Sequence, residues 1–233
     1  DAFTAQKQFS ASAAHELRTP LAVMQTNLEV FARKKTPTIE EYQDIFGMIQ
    51  NQTERLSHLS EVLLDMTGIQ SVERSDSISL AELTDEVCCD LASIADQKKV
   101  ELIQEEDDCT VTGSYLLLYR AVYNLVENAI KYNHSGGKVT VKISQKKDLP
   151  AAHSKPADCA LVEVTDTGIG ISPEFQEKIF DPFFRVDKSR SRAMGGAGLG
   201  LALVNEIARQ HGGQVKVLAS SEQGSTIALV LPI

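Results

Sequence analysis

The stretch Asn124-Leu125-Val126-Glu127-Asn128-Ala129-Ile130-Lys131-Tyr132 sets two carboxamides one four-residue step apart. At about 100° per residue both leave a helix on the same side. Lys131 follows three positions after Asn128. Leu117, Ala121, Leu125 and Ala129 recur at helical spacing along the other side, so a helix is predicted from Ser114 to Tyr132. A carboxamide oxygen is a hard ligand suited to Mg²⁺ when phosphates supply the negative charge, and an ammonium can neutralise a further oxygen. A polar outer face would account for the amides alone, but it does not account for the glycine segments downstream.

The first of these, Asp166-Thr167-Gly168-Ile169-Gly170, follows a strand predicted over Leu161 to Val164. An aspartate there can accept a hydrogen bond from the exocyclic amine of adenine, and the glycines let the backbone pass close to the base. The second, Gly196-Ala197-Gly198-Leu199-Gly200, leads into a helix predicted from Leu199 to His211 and ended by Gly212-Gly213. The first free N–H groups of that helix can meet phosphate. Neither segment is a Rossmann fingerprint or a Walker A loop, since no strand-G-x-G-x-x-G unit and no G-K-[ST] ending is present.

Around this kernel, Ser79 and Glu82 offer a capping box for a helix faced by Leu83, Val87, Leu91 and Ile94. Glu101 to Gln104 reads as a short strand and Glu105 to Asp108 as a solvated turn. After Gly136-Gly137, Val139, Val141 and Ile143 alternate as a half-buried strand. Lys146 to Asp158, with Pro150 and Pro156, is predicted to be a surface loop. Val215 to Leu218 and Thr226 to Leu231 close the pattern as an antiparallel pair. The sum is an α/β sandwich with helices on one face of a mixed sheet.

Upstream lies a helical hairpin. Phe9, Ala13, Leu17, Leu21, Met24, Leu28 and Phe31 make one apolar stripe, and Ile45, Ile49, Leu56, Leu59, Leu63 and Met66 make a second. Ala32 to Pro37 breaks the pattern, and Thr38 with Glu41 fits a capping box. Each helix leaves apolar surface uncovered, so a homodimeric four-helix bundle is the economical solution. The boundary falls where residues 67 to 78 lose periodicity, giving domains 1–71 and 72–233.

The hairpin is interrupted by His15-Glu16-Leu17-Arg18-Thr19-Pro20. His15 falls nearly opposite the Ala13/Leu17 stripe and is expected to face solvent. Glu16 can accept an imidazole proton and keep the other ring nitrogen nucleophilic. Thr19, one turn away, offers a hydroxyl that can hold a water. Pro20 has no N–H for the Glu16 carbonyl and is expected to bend the helix.

A net charge of -9 and a pI near 5.1 argue against a general nucleic-acid surface. Residues 1 to 71 carry six basic and nine acidic side chains, residues 72 to 110 three and twelve, and residues 111 to 233 fourteen and eleven. The one positive third is therefore the one holding the proposed polyanion site. Cys88, Cys89, Cys109 and Cys159 lack metal-ligand spacing and read as reduced small hydrophobes. No apolar run reaches membrane-spanning length.

In order, these blocks resemble the phosphoacceptor motif and the asparagine, first glycine, phenylalanine and second glycine boxes of bacterial sensor histidine kinases. The resemblance implies that ATP phosphorylates His15 and that the group passes to an aspartate of a response regulator receiver domain. Glu16 would be the acid/base and Thr19 the residue supporting dephosphorylation of the partner. It further implies that Asn128 holds Mg²⁺, that Asn124, Lys131 and Tyr132 serve the phosphate and sugar side, and that Asp166 reads adenine. Gly168, Gly170, Gly196, Gly198, Leu199 and Gly200 would line the nucleotide.

Phe180-Asp181-Pro182-Phe183-Phe184-Arg185 would form a hinge, with Arg185 stabilising the transferred phosphoryl and residues 186 to 197 forming a lid. Gly224-Ser225-Thr226 resembles a degenerate last glycine motif, with Thr226 its contact. The family implies a homodimer, no direct nucleic-acid binding, and a cytoplasmic portion anchored to a membrane only through segments outside this fragment. Gyrase-like and chaperone ATPases share the fold, but generally carry a water-activating glutamate where this chain has Asn124. A decayed signalling scaffold is the other alternative, and the full set of polar groups counts against it.

Overall fold

The computed structural model describes residues 2–69, 72–105, 107–149, 157–186 and 197–233. They make two compact units: the first takes in residues up to Asp65, together with Ala197, and the second runs from Met66 and holds the remaining described residues.

The first unit holds α1 (Ala2–Ala32) and most of α2 (Ile39–Gly68). The predicted capping box starts α2: the Thr38 N–H donates to Glu41 Oε2 at 3.1 Å, and the Glu41 N–H donates to Thr38 Oγ1 at 3.3 Å. Across the turn the rings of Phe31 and Tyr42 meet edge to face with centroids 5.0 Å apart. Pro20 sits inside α1, which continues through it. The stripe on α1 is only partly covered, with Leu21 53% and Leu28 44% exposed.

The second unit runs β1 (Asp76–Ser79), α3 (Leu80–Lys98), β2 (Glu101–Gln104), β3 (Thr110–Gly113), α4 (Tyr115–Lys131), β4 (Lys138–Leu149), β5 (Ala157–Asp166), α5 (Gly200–Gln210), β6 (Gln214–Ser221) and β7 (Gly224–Pro232). Its main sheet has the order β2-β4-β5-β7-β6. The β2–β4 pair is parallel and the other pairs are antiparallel, so the sheet is mixed as expected. Leu83, Val87 and Leu91 of α3, Leu118, Val122 and Ile130 of α4, and Leu203 and Ile207 of α5 are buried with Val139, Val141, Val162 and Leu229 of the sheet. Each such side chain stabilises the fold by about 1.5–3 kcal/mol through area removed from water. Ser114 caps α4 by accepting from the Leu117 N–H, and Gly212, at φ +70°, follows the end of α5. His211 joins these two helices, since its Nε2 accepts the Ser114 N–H at 3.0 Å.

Three local expectations change. Lys146 to Asp158 is not all loop, because β4 continues to Leu149 and pairs Lys146 with Cys159 and Leu149 with Ala157. A hairpin ladder is held by backbone hydrogen bonds and does not need apolar alternation in strands that leave the core. Pro150 and Pro156 lie outside the described residues. Asp108 is more than a solvated turn residue: it accepts from Ser79 Oγ at 3.0 Å and the Ala81 and Cys109 N–H groups at 3.0 and 2.7 Å. The backbone hydrogen bond from Ala81 is foremost in holding its carboxyl below the usual range. Finally Ile94, placed by spacing on the inner face of α3, is 41% exposed. Cys109 and Cys159 are buried as small hydrophobes, whereas Cys89 is exposed.

Candidate nucleotide and phosphoacceptor sites

Two helix ends and one strand end supply the nucleotide-site residues. On α4, Asn124 is buried and its Nδ2 donates to the Arg120 carbonyl at 2.8 Å, which holds the carboxamide in one orientation. Its Oδ1 faces the start of α5: a Cβ at Gly200 would lie 2.5 Å from Asn124 Oδ1 and 3.6 Å from Asn128 Nδ2. Glycine at 200 is therefore what lets the second glycine segment approach the paired amides. Among the described residues the half-buried Asn128 carboxamide makes no hydrogen bond, so its oxygen is available to a ligand. Lys131 Nζ stands 5.9 Å from the centroid of the Tyr132 ring.

Asp166 ends β5, where it is paired in register with Ser225 of β7. Its Oδ1 accepts the Gly168 N–H at 2.7 Å, and burial raises its pKa above the ordinary carboxylate value against that hydrogen bond. The following loop folds onto the end of α4. The Ile169 N–H donates to the Tyr132 carbonyl at 3.3 Å, and a Cβ at Gly168 would come within 2.5 Å of that oxygen. Gly170, at φ +69°, lies so close to the β6–β7 turn that a Cβ would be 1.8 Å from the Ser221 carbonyl oxygen.

Thr226 and Asp166 leave the sheet on opposite faces, because adjacent residues alternate and Thr226 pairs with Thr165. The two threonine hydroxyls are 3.0 Å apart. The neighbour on the Asp166 face is the buried Ser225, whose Oγ meets Ser220 Oγ at 3.0 Å. The sequence reading names Ser225 only as part of Gly224-Ser225-Thr226 and takes Thr226 as the contact; strand register is what brings Ser225 to the Asp166 face.

Leu199 is 1% exposed and precedes α5 as a core side chain, so only its backbone can take part in the site. Phe183 has φ 64°, a costly conformation for a bulky residue, and its N–H donates to the Gly198 carbonyl at 2.7 Å. Gly198 fits there because a Cβ would lie 2.7 Å from the Phe184 oxygen and 3.1 Å from Arg185 Cγ. These contacts join the predicted hinge to the second glycine segment. Gly196, with Lys188, Arg190 and Arg192 of the expected lid, lies outside the described residues.

In the helical unit His15 is exposed, as its place opposite the stripe requires. The Thr19 hydroxyl donates to the His15 carbonyl at 3.0 Å, a helix back-bond one turn along. Glu16 Oε2 lies 3.5 Å from Arg55 Nη2 of α2, and both side chains are only 14% exposed. Nothing in local spacing announces Arg55, which is 39 residues from Glu16.

Among the described residues no cluster of three or more His, Cys, Asp or Glu can hold a metal. The carboxamide oxygen of Asn128 is a hard donor of the kind Mg²⁺ accepts.

A paired-amide helix, an Asp–Gly loop and a glycine-led helix around one mixed sheet define an ATP-binding fold. Residues 113–233 match the family described as histidine kinase-, DNA gyrase B-, and HSP90-like ATPase. Residues 5–71 match the His Kinase A (phospho-acceptor) domain, and the chain belongs to the sensor histidine kinase family.

Its relatives include sensor histidine kinase RppB of Synechocystis, 33% identical over 98% of this chain and 49% of that protein. Sensor-like histidine kinase SenX3 of Mycobacterium bovis is 32% identical over 98% of this chain and 54% of that protein. The chain thus spans about half the length of these curated relatives. Among solved structures, Acinetobacter baumannii histidine kinase AdeS has the same fold, with a TM-score of 0.70 at 22% identity over 94% of this chain and 97% of that one. Histidine kinase ThkA, solved in complex with response regulator protein TrrA, superposes with a TM-score of 0.73 at 21% identity over 99% of this chain and 63% of that one.

Proposed function

We propose that this chain uses ATP to phosphorylate His15 and passes the phosphoryl group to an aspartate of a response regulator receiver domain. The observation that carries the proposal is the exposed His15, on a helical unit separate from an ATP-binding fold that brings Asn124, Asn128 and Gly200 together. In this reading residues 1–71 are the dimerisation and phosphotransfer domain and 72–233 the catalytic domain. Asp166 accepts the adenine amine, while Lys131, Tyr132 and the free N–H groups at the start of α5 take the phosphates and sugar. Mg²⁺ held at the Asn128 oxygen supplies charge neutralisation for the phosphates.

An unprotonated ring nitrogen of His15 attacks the γ-phosphorus, the bond to the β-phosphate oxygen breaks, and ADP leaves with that electron pair. Glu16 takes the proton from the other ring nitrogen, and its ion pair with Arg55 fixes where the carboxylate stands. Arg185 spreads charge from the transferred group. Asn124 supports transfer over hydrolysis, because a carboxamide is no base for water. The exposed apolar stripe supports assembly into a homodimeric four-helix bundle. No described helix is long and apolar enough to cross a membrane.

The direct test is incubation with labelled ATP and Mg²⁺. Wild type acquires acid-labile, alkali-stable phosphate, and His15→Gln acquires none while still binding nucleotide. Label retained by His15→Gln would overturn the assignment.

A further inference from the structure

Between the end of α4 and the loop after β5 lies a polar network that the activity above does not use. Asn133, 7% exposed, donates through Nδ2 to the Lys138 carbonyl at 2.8 Å. Its Oδ1 accepts the His134 N–H at 3.0 Å and the Thr167 hydroxyl at 3.2 Å. Thr167 grips the same residue from the other side: Oγ1 accepts the Lys138 N–H at 2.9 Å, and the Thr167 N–H donates to the Lys138 carbonyl at 3.1 Å. Gly137 makes room for both side chains, since a Cβ there would lie 2.1 Å from Asn133 Oδ1 and 2.8 Å from Thr167 Oγ1. One carboxamide and one hydroxyl thus tie together a helix end, the first residue of β4 and the loop that carries Asp166.

We infer that Asn133 and Thr167 are positioning residues, a clamp on the Lys138 backbone that holds the base-reading carboxylate of Asp166 in register with the metal-bearing amide of Asn128. The inference rests on the nucleotide-site reading above. Thr167 is the residue immediately after Asp166, and Asn133 follows Tyr132, whose carbonyl receives the Ile169 N–H. Nucleotide base and phosphates are bound by different elements, so their joint recognition depends on the spacing of those elements. A part-buried network of this kind fixes that spacing, and deleting one member removes hydrogen bonds from its partners. Displacement at a binding site of this kind weakens binding of the whole ligand before it alters the chemical step.

The test compares Thr167→Val, Thr167→Ser, Asn133→Asp and Asp166→Asn in the whole chain. The measurements are ADP affinity with and without Mg²⁺, KM and kcat for labelling with ATP, and the ligand-free melting temperature. Thr167→Val is expected to raise KM and weaken ADP binding about tenfold with kcat nearly unchanged, and Thr167→Ser to restore both. Asn133→Asp keeps the acceptor contacts but loses the donation to Lys138, so it raises KM by a smaller factor.

A lower melting temperature with unchanged KM, or a Thr167→Ser variant as impaired as Thr167→Val, would overturn the clamp. Should Thr167→Val not fold, Asn133→Asp carries the test, and an unchanged KM for it overturns the clamp equally. Asp166→Asn separates the two readings. If it leaves ADP binding intact, the nucleotide-site reading fails and the clamp with it. If it weakens binding while the Thr167 and Asn133 variants do not, the clamp alone fails.

Discussion

Burial raises the pKa of Asp166 and lowers that of His211, and the two residues set opposite pH responses. A carboxyl with a raised folded-state pKa binds more protons folded than unfolded, so its ionised form costs stability at neutral pH. Asp166→Asn, which can still accept the Gly168 N–H, is expected to raise the melting temperature of the ligand-free protein while weakening nucleotide affinity, as calorimetry and titration would read together. His211 donates from Nδ1 to the Ile207 carbonyl at 2.8 Å and accepts at Nε2 from Ser114, an arrangement that requires the neutral ring. With its folded pKa below the ordinary 6.5, the unfolded chain takes up the proton first. Stability from this group is whole above that value and is lost as pH falls through it. Thermal melts of wild type are expected to drop more steeply below pH 6.5 than those of His211→Gln, and parallel curves would contradict the role. At this scale the sequence pointed to Asp166 and Glu16 but not to Ser225, Arg55 and Asn133, which are brought in through strand register, a second helix and a turn.

Elements whose geometry is local were legible, and those made by distant pairing were not. The Thr38/Glu41 box and the stripe on α4 are written in three- and four-residue steps, and both stand where spacing put them. The pairing of β1 with β3 joins Asp76 to Gly113, and no local pattern reports a partner so far along the chain. The extension of β4 was hidden because Gln145 to Asp148 are all polar, the composition of a loop. Replacing Thr38 by Ala is expected to cost about 1 kcal/mol and to speed hydrogen exchange in the first turn of α2. In α1 the Thr19 hydroxyl spends its proton on the His15 carbonyl, but its oxygen still has lone pairs for a water. Thr19→Ala is therefore expected to spare labelling of His15 and transfer to the receiver while depressing dephosphorylation of the receiver. Parallel changes in all three rates would leave the hydroxyl only its backbone role.

For the molecule as a whole, the partly uncovered stripe on α1 predicts self-association. Sedimentation equilibrium is expected to give a dimer, and Leu21→Glu with Leu28→Glu to shift it toward monomer, these two side chains being 53% and 44% exposed. A monomer across the whole concentration range of the wild type would contradict it. The order of the main sheet also has a meaning for biosynthesis. β5 lies between β4 and β7, and its register joins Cys159 to Pro232. On the ribosome the helical hairpin can close early, but β5 leaves the exit tunnel with one edge paired and waits for β7. During that interval a Val- and Leu-rich strand offers its free backbone edge to any other nascent chain. Message truncated before β7 would thus yield a polypeptide with an intact phosphoacceptor hairpin and an aggregating remainder, a product for proteolysis to clear.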